Sequence, residues 1–235
     1  LAVIMREMYD EFRVNKVLIV APKRVAESTW QDEAAKWDCF QGLTFSAVLG
    51  NRKNRIAALS RQADIYVTNR ENVKWLMEYL GWKPDFDMLV LDESTSFKDA
   101  STMRWKALRK VRSMFKQIVL LTGTPRPNSL MDLWAQLYLI DGGARLGRTL
   151  TEYRNNYFLP DKRNGMTVFS YKIRDDRAER EIYKRISDVC ISLKADDYKD
   201  IPDKLPPVIV KVHLDDQSRT RYRELERECI TEIEG

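Results

Sequence analysis

Two adjacent carboxylates, Asp92 and Glu93, close the stretch "MLVLDESTSFKD" directly after a run of apolar residues. A short apolar run of this kind reads as a buried strand, which puts the acidic pair at the strand's carboxyl end. An aspartate there can hold Mg²⁺, directly or through water, while a neighbouring glutamate orients and deprotonates an attacking water for phosphoryl transfer. The same pair can also be no more than the solvated end of a strand. A second polar cluster, "LLTGTPRPN", ends another apolar run. Its Gly123 permits close backbone approach, Thr122 and Thr124 supply hydroxyls near a phosphate or a carboxylate, and Pro125 and Pro127 stop the strand. Asn128 or Ser129 would then cap the helix that follows. Ligands of open parallel sheets bind outside the carboxyl ends of the strands, so clusters on adjacent strands would face one crevice. A nuclease using Asp92 and Glu93 for metal is a weaker reading, because no D…ExK constellation stands near another strand end.

The elements that must position these groups are legible as alternating texture. "KVLIVA" (16–21), "LTFSAVL" (43–49), "DIYVT" (64–68), "MLVLD" (88–92) and "IVLLT" (118–122) are apolar runs separated by helix-compatible sequence. Strands apolar on both faces and alternating with helices predict a parallel sheet covered on both sides, an α/β three-layer domain. In "STWQDEAAKW", Ser28 with Gln31 suggests a capping box, and Trp30, Ala34 and Trp37 share a helical face. Leu130, Leu133, Trp134 and Leu137 form a second helical stripe. At the amino end Leu1, Ile4, Met5, Met8 and Phe12 recur at helical spacing with no cap ahead of them, so the chain is expected to be part of something longer. From 141 to 200 the sequence is rich in charge and turn signals, which predicts a mainly helical insertion or subdomain. A stiff "IPDKLPP" linker, a strand holding His213 and a helix with Tyr222, Leu225 and Cys229 on one face complete it. The expected division is therefore 1–140, 141–200 and 201–235.

Composition sets the outer limits. With 235 residues, 44% of them hydrophobic and 32% charged, the chain can bury a sizeable core and is neither disordered nor fibrous. A net charge of +5 is compatible with a polyanionic partner. Cys39, Cys190 and Cys229 are scattered and odd in number, which gives no disulfide framework and suggests a reducing compartment. One histidine and no CxxC pair leave a structural zinc site without ligands. There is no apolar run of about 18 residues and no signal peptide, so the expectation is a soluble intracellular protein, in the cytoplasm, nucleoid or nucleus, with no membrane partner.

The motifs resemble a known family. "VLDESTSFKDAS" is similar to the DExx box of superfamily-two helicases and translocases, above all the Swi/Snf-type ATPases, with Lys98 at the spacing of that family's lysine. "LLTGTPRPNSLMDLWAQLYLI" resembles their motif III and the following helix, "VLIVAPKRVAESTWQDEAAKW" resembles motif Ia, and "IYVTNRENV" resembles the next block along the nucleic-acid path. The exit segments "ISLKADDY" to "LPP" and "VHLDDQSRTRYREL" are similar to the passage from the first RecA-like lobe toward the second. The resemblance implies a RecA-like first lobe in which Asp92 binds Mg²⁺ and Glu93 activates the hydrolytic water. It also implies that Thr122, Gly123 and Thr124, with Lys98, couple the nucleotide state to the bound strand. Lys23, Arg24, Thr68 and Asn69 would meet the phosphates of DNA, expected to be double-stranded and bound without regard to sequence, a contact sensitive to salt. ATP and Mg²⁺ are the implied cofactors of the intact parent, and a second RecA-like lobe in cis the implied source of an arginine finger.

Two departures qualify this. No GxxxxGK[ST] loop occurs, nor any Gly-Lys pair; the family places that loop just ahead of the helix on which this sequence opens, so the fragment alone is expected to be inactive. Ser94-Thr95 also stands where the commoner DEAH version has Ala-His. A non-catalytic nucleic-acid-binding or scaffolding module of the same fold is the alternative. Arg154, Lys162 and Arg163 leave open whether the 141–200 segment grips DNA or only packs.

Overall fold

The computed structural model describes residues 1–5, 7–8, 11–40, 42–123, 129–164, 167–192 and 214–228. The chain divides into two compact units, Leu1–Cys190 and Ile191–Gly235.

The five apolar runs form the five strands of the first unit: β1 (Val17–Ala21), β2 (Phe45–Ala47), β3 (Ile65–Asn69), β4 (Met88–Asp92) and β5 (Gln117–Leu121). All pair in parallel, in the order β2-β3-β1-β4-β5. Successive side chains of a strand point to opposite faces, and the core divides accordingly. Leu18, Val20, Tyr66, Leu89 and Leu91 enter one cluster, whereas Val17, Ile19, Ala21, Ile65, Val67, Met88 and Val90 enter another. Neither face is polar, so each must be covered. The first face is covered by α3 (Arg52–Leu59), α4 (Val73–Tyr79), α5 (Met103–Val111) and α6 (Leu133–Asp141), through Ala58, Leu76, Trp105, Leu108, Leu133 and Leu137. The second is covered by Ile4 of α1 (Ala2–Met5), by Met8, and by Val25 and Ala26 ahead of α2 (Trp30–Ala35). The result is the expected three-layer α/β arrangement with an all-parallel sheet.

The helix after β5 begins as expected: the Ser129 hydroxyl accepts from the Met131 backbone N–H at 3.1 Å, and Leu130, Leu133, Trp134 and Leu137 are buried. Its far end is closed by a side chain rather than by backbone alone. The Arg112 guanidinium donates to the Leu139 and Ile140 carbonyls at 3.0 and 2.7 Å, satisfying carbonyls that have no partner within the helix.

Residues 141–190 hold α7 (Leu150–Tyr157), α8 (Asp176–Ile186) and two short antiparallel ribbons between them. In these, β6 (Phe158–Pro160) pairs with β9 (Tyr171–Ile173), and β7 (Arg163–Asn164) with β8 (Thr167–Val168). Tyr153, Tyr157, Phe158, Ile182 and Ile186 join the first-face core. Tyr153 is fully buried and donates its hydroxyl to the Leu130 carbonyl at 2.9 Å, which anchors this segment to the start of α6. The turn into α7 requires glycine at Gly143, where φ is +89° and a Cβ would press into the Gly147 carbonyl.

Three local expectations are corrected. Helical backbone runs unbroken from Lys23 to Ala35 through a π-helical turn at Val25–Thr29, so Ser28 lies inside it and caps nothing. The start moves upstream because the Pro22 carbonyl accepts from Ala26 N–H at 2.9 Å. Trp37 follows the helix with 55% of its surface exposed and donates to Glu33 instead of packing with Ala34. Phe12, with φ at +52°, leaves the face made by Ile4 and Met8 and is exposed.

In the second unit α9 (Asp216–Glu228) opens on Asp215, whose carboxylate accepts from Ser218 N–H at 2.8 Å; Tyr222 and Leu225 are exposed on it. Cys229, His213 and the "IPDKLPP" linker lie outside the described residues.

Candidate active site at the carboxyl ends of the strands

The strand registers are nearly level at one end of the sheet. Ala21 of β1 pairs with Asn69 of β3, and Asp92 of β4 pairs with Leu121 of β5, so the residues that follow these positions emerge along one rim. Asp92 is half-buried there, and its Oδ2 accepts from the Trp30 indole N–H at 3.2 Å. Burial pushes its carboxyl above the usual carboxylate range, the Trp30 and Glu93 N–H groups offset part of that rise, and the Glu93 charge adds to it. A hard oxygen donor left short of positive charge suits Mg²⁺, which takes one or two carboxylates and fills its remaining positions with water and phosphate oxygens. The described residues contain no group of three or more His, Cys, Asp or Glu arranged as an all-protein metal cage. Asp92 also borders a cleft of about 460 Å³ walled by Val25, Trp30, Trp37 and Phe40 and reaching Leu1.

Glu93 occupies left-handed backbone, φ 53° and ψ 59°. For a residue other than glycine this costs about 1–2 kcal/mol and persists only where neighbours over-determine it. It turns the chain sharply from β4 into the 3₁₀ turn Ser94–Phe97 and leaves the Glu93 side chain exposed beside Asp92. The Thr95 hydroxyl approaches Glu93 Oε2 at 3.4 Å, and Ser96 N–H donates to the Glu93 carbonyl at 3.0 Å. Behind the turn, Ser94 is buried and its hydroxyl donates to Gln136 Oε1 at 2.7 Å. Gln136 Nε2 in turn donates to the Asp132 carbonyl at 2.9 Å, and Lys98 Nζ pairs with the Asp132 carboxylate at 3.7 Å. Lys98 thus ties the acidic turn to the start of α6.

Thr122 and Gly123 follow β5 on the strand next to Asp92, with Thr122 half-buried and Gly123 exposed; Thr124 lies outside the described residues. Lys23 and Arg24 are exposed in the first helical turn after β1. Asn69 closes β3 with its amide donating to Glu71 at 2.9 Å, while its Oδ1 is buried without a hydrogen bond. Thr68 is fully buried and its hydroxyl donates to the Val48 carbonyl at 2.9 Å, so its side chain offers nothing at the surface. Arg104, not singled out by sequence, donates to the Ser96 carbonyl at 2.9 Å and braces the same turn. The Trp30 contact spans 62 positions and leaves no local signal. Gln136 does leave one, as the single amide in the apolar stripe "LWAQLYL".

Comparison with known proteins supplies a family and a fold. The family described as SNF2-related domain matches residues 1–235. Protein p41 of Acyrthosiphon pisum secondary endosymbiont phage 1 is 36% identical over 222 residues, covering 92% of this chain and 48% of p41. The DNA excision repair protein ERCC-6-like of Mus musculus is 29% identical over 161 residues, 65% of this chain and 12% of that protein. The chain therefore spans half or less of the length of these relatives. Among solved structures, the Sulfolobus solfataricus SWI2/SNF2 ATPase core in complex with dsDNA shares the fold with a TM-score of 0.62 at 22% identity, over 80% of this chain and 35% of that one. No helix among the described residues is long and apolar enough to cross a membrane.

Proposed function

We propose, since the chain belongs to the SNF2-related domain family, that it is the first ATPase lobe of a DNA translocase or helicase, in which Mg²⁺-dependent ATP hydrolysis drives movement along DNA. The observation that carries this reading is the pairing of a half-buried Asp92 with an exposed Glu93 held in left-handed backbone at the same strand end. Mg²⁺, when bound, would supply charge neutralisation for the phosphates, and Asp92 would be the residue that holds it. Glu93 orients the attacking water and accepts its proton. Thr122 and Gly123, one strand away, sense the phosphate end of the nucleotide, and the Lys98–Asp132 pair links the acidic turn to the helix after them.

β5 pairs on one side only among the described residues, and its apolar Ile118, Val119 and Leu120 are half-exposed. That open edge suits a further strand carrying the phosphate-binding loop, with the second lobe closing over Glu93. Lys23 and Arg24, with Asn69 at the rim, contact the phosphates of duplex DNA. The likeness to a core solved with dsDNA supports that partner. The 141–190 segment is proposed to brace α6 through Tyr153.

The test is ATP hydrolysis by the full-length protein with and without duplex DNA. DNA should stimulate hydrolysis, and Glu93→Gln should lower turnover by roughly 10²–10⁴-fold while ATP still binds. DNA binding without hydrolysis in the unaltered protein would instead indicate the non-catalytic module.

A further inference from the structure

We infer that Gln136 is a positioning residue for Glu93, acting through Ser94. The inference rests on the proposed ATPase reading. A left-handed glutamate needs its surroundings to hold it, and its immediate successor is buried and hydrogen-bonded. Ser94 is 1% exposed and Gln136 is 2% exposed, and they meet at 2.7 Å. The amide has one usable orientation: its nitrogen must face the Asp132 carbonyl, which only accepts, and this turns Oε1 toward the Ser94 hydroxyl. The hydroxyl is therefore clamped by a group whose own direction is fixed from α6. Lys98 and Asp132 add a second tie from the end of the same turn to the residue preceding α6.

Glu93 is thus suspended between β4, through Asp92, and α6, through Ser94. A shift of α6 would therefore reach the Glu93 carboxylate by this strut. A displacement of about 1 Å at a reacting group can cost about 10²-fold in rate. The pair also gives a physical role to serine at position 94, where the commoner motif has alanine.

A buried polar pair can equally serve only its own satisfaction, and the experiment separates the two roles. In the full-length protein, Ser94→Ala, Gln136→Leu and the double substitution are compared for DNA-stimulated turnover, KM for ATP, Kd for DNA and urea midpoint. Each single change removes the buried Ser94–Gln136 hydrogen bond and should lower the midpoint; the double change removes both of its members and should restore part of it. Turnover should fall about 10- to 100-fold in all three, with the double no worse than either single, and with KM and Kd within about twofold. Recovery of turnover together with stability in the double variant overturns the inference, as does unchanged turnover in the singles. An unaltered protein that does not hydrolyse ATP sinks the functional reading and the inference with it, whereas normal hydrolysis in all variants sinks the inference alone.

Discussion

The indole nitrogen of Trp30 lies 3.2 Å from a carboxylate oxygen of Asp92, joining the helical segment after β1 to the last residue of β4. The contact uses one carboxylate oxygen and restrains how the other faces the crevice. Replacing Trp30 with Phe keeps the ring and removes the donor. The Mg²⁺ concentration giving half-maximal ATP hydrolysis should rise about 3- to 10-fold, since a hydrogen bond to a charged group is worth about 1.5–3 kcal/mol when buried and less at a half-open site. A Mg²⁺ titration reads this directly, and an unmoved midpoint would show that the indole does not help place the carboxylate.

Glu93 should behave as a residue whose backbone and side chain are under opposite demands. Glycine accepts the left-handed conformation without strain, so Glu93→Gly should leave the fold as stable or raise stability by about 0.5–1 kcal/mol while hydrolysis is lost. Urea denaturation beside an ATPase assay checks both halves. A clear loss of stability would mean that the exposed side chain helps hold the turn.

Lys23 and Arg24 stand exposed after β1, whereas Arg154 is stacked over the Tyr171 ring at 4.8 Å. Each phosphate contact removed should reduce the slope of log K against log salt by about 0.9 for duplex DNA. Lys23→Ala and Arg24→Ala should show that reduction on any sequence. Arg154→Met should leave the slope unchanged and destabilise the fold by about 1 kcal/mol through the lost stack.

Asp87, just before β4, accepts from Asn15 N–H at 2.8 Å and pairs with Lys116 Nζ at 2.8 Å, joining the amino ends of β1, β4 and β5. Burial alone would raise its carboxyl, but the Lys116 and Asn15 contacts outweigh burial and hold it below the usual carboxylate range. A carboxyl lowered by folding contributes stability above its unfolded pKa and loses it as pH falls through the folded one. Stability should therefore decline on acidification below about pH 4, and Asp87→Asn should be less stable at pH 7 and flatten that acid limb. Urea midpoints across pH 3–7 give the comparison.

The sheet was legible because a strand apolar on both faces has few other destinations; the five runs and the five strands differ by a residue or two at their ends. The acidic pair was legible for the same reason, since it sits where such a run stops. What could not be read depended on partners far along the chain. Ser28 with Gln31 has the spacing of a cap, yet the Pro22 carbonyl starts the helix earlier. Thr68 looked like a rim residue, but the parallel β2 loop brings the Val48 carbonyl over its hydroxyl. Ribbons of two or three residues, such as β7 and β8, are too short to show alternation. Gln136 was visible as a polar residue in an apolar stripe, and only the fold shows that Ser94 meets it.

The position of β1 carries a consequence for biosynthesis. This strand, "VLIVA", lies in the middle of the sheet, and its two neighbours are β3 and β4. The first of these two neighbours to be made, β3, ends at Asn69, 48 residues after Ala21, an interval of roughly 2–10 s of synthesis at about 5–20 residues per second. Throughout that time this wholly apolar segment of the nascent chain has neither neighbouring strand to pair with, which marks the emerging polypeptide as a client for co-translational chaperones.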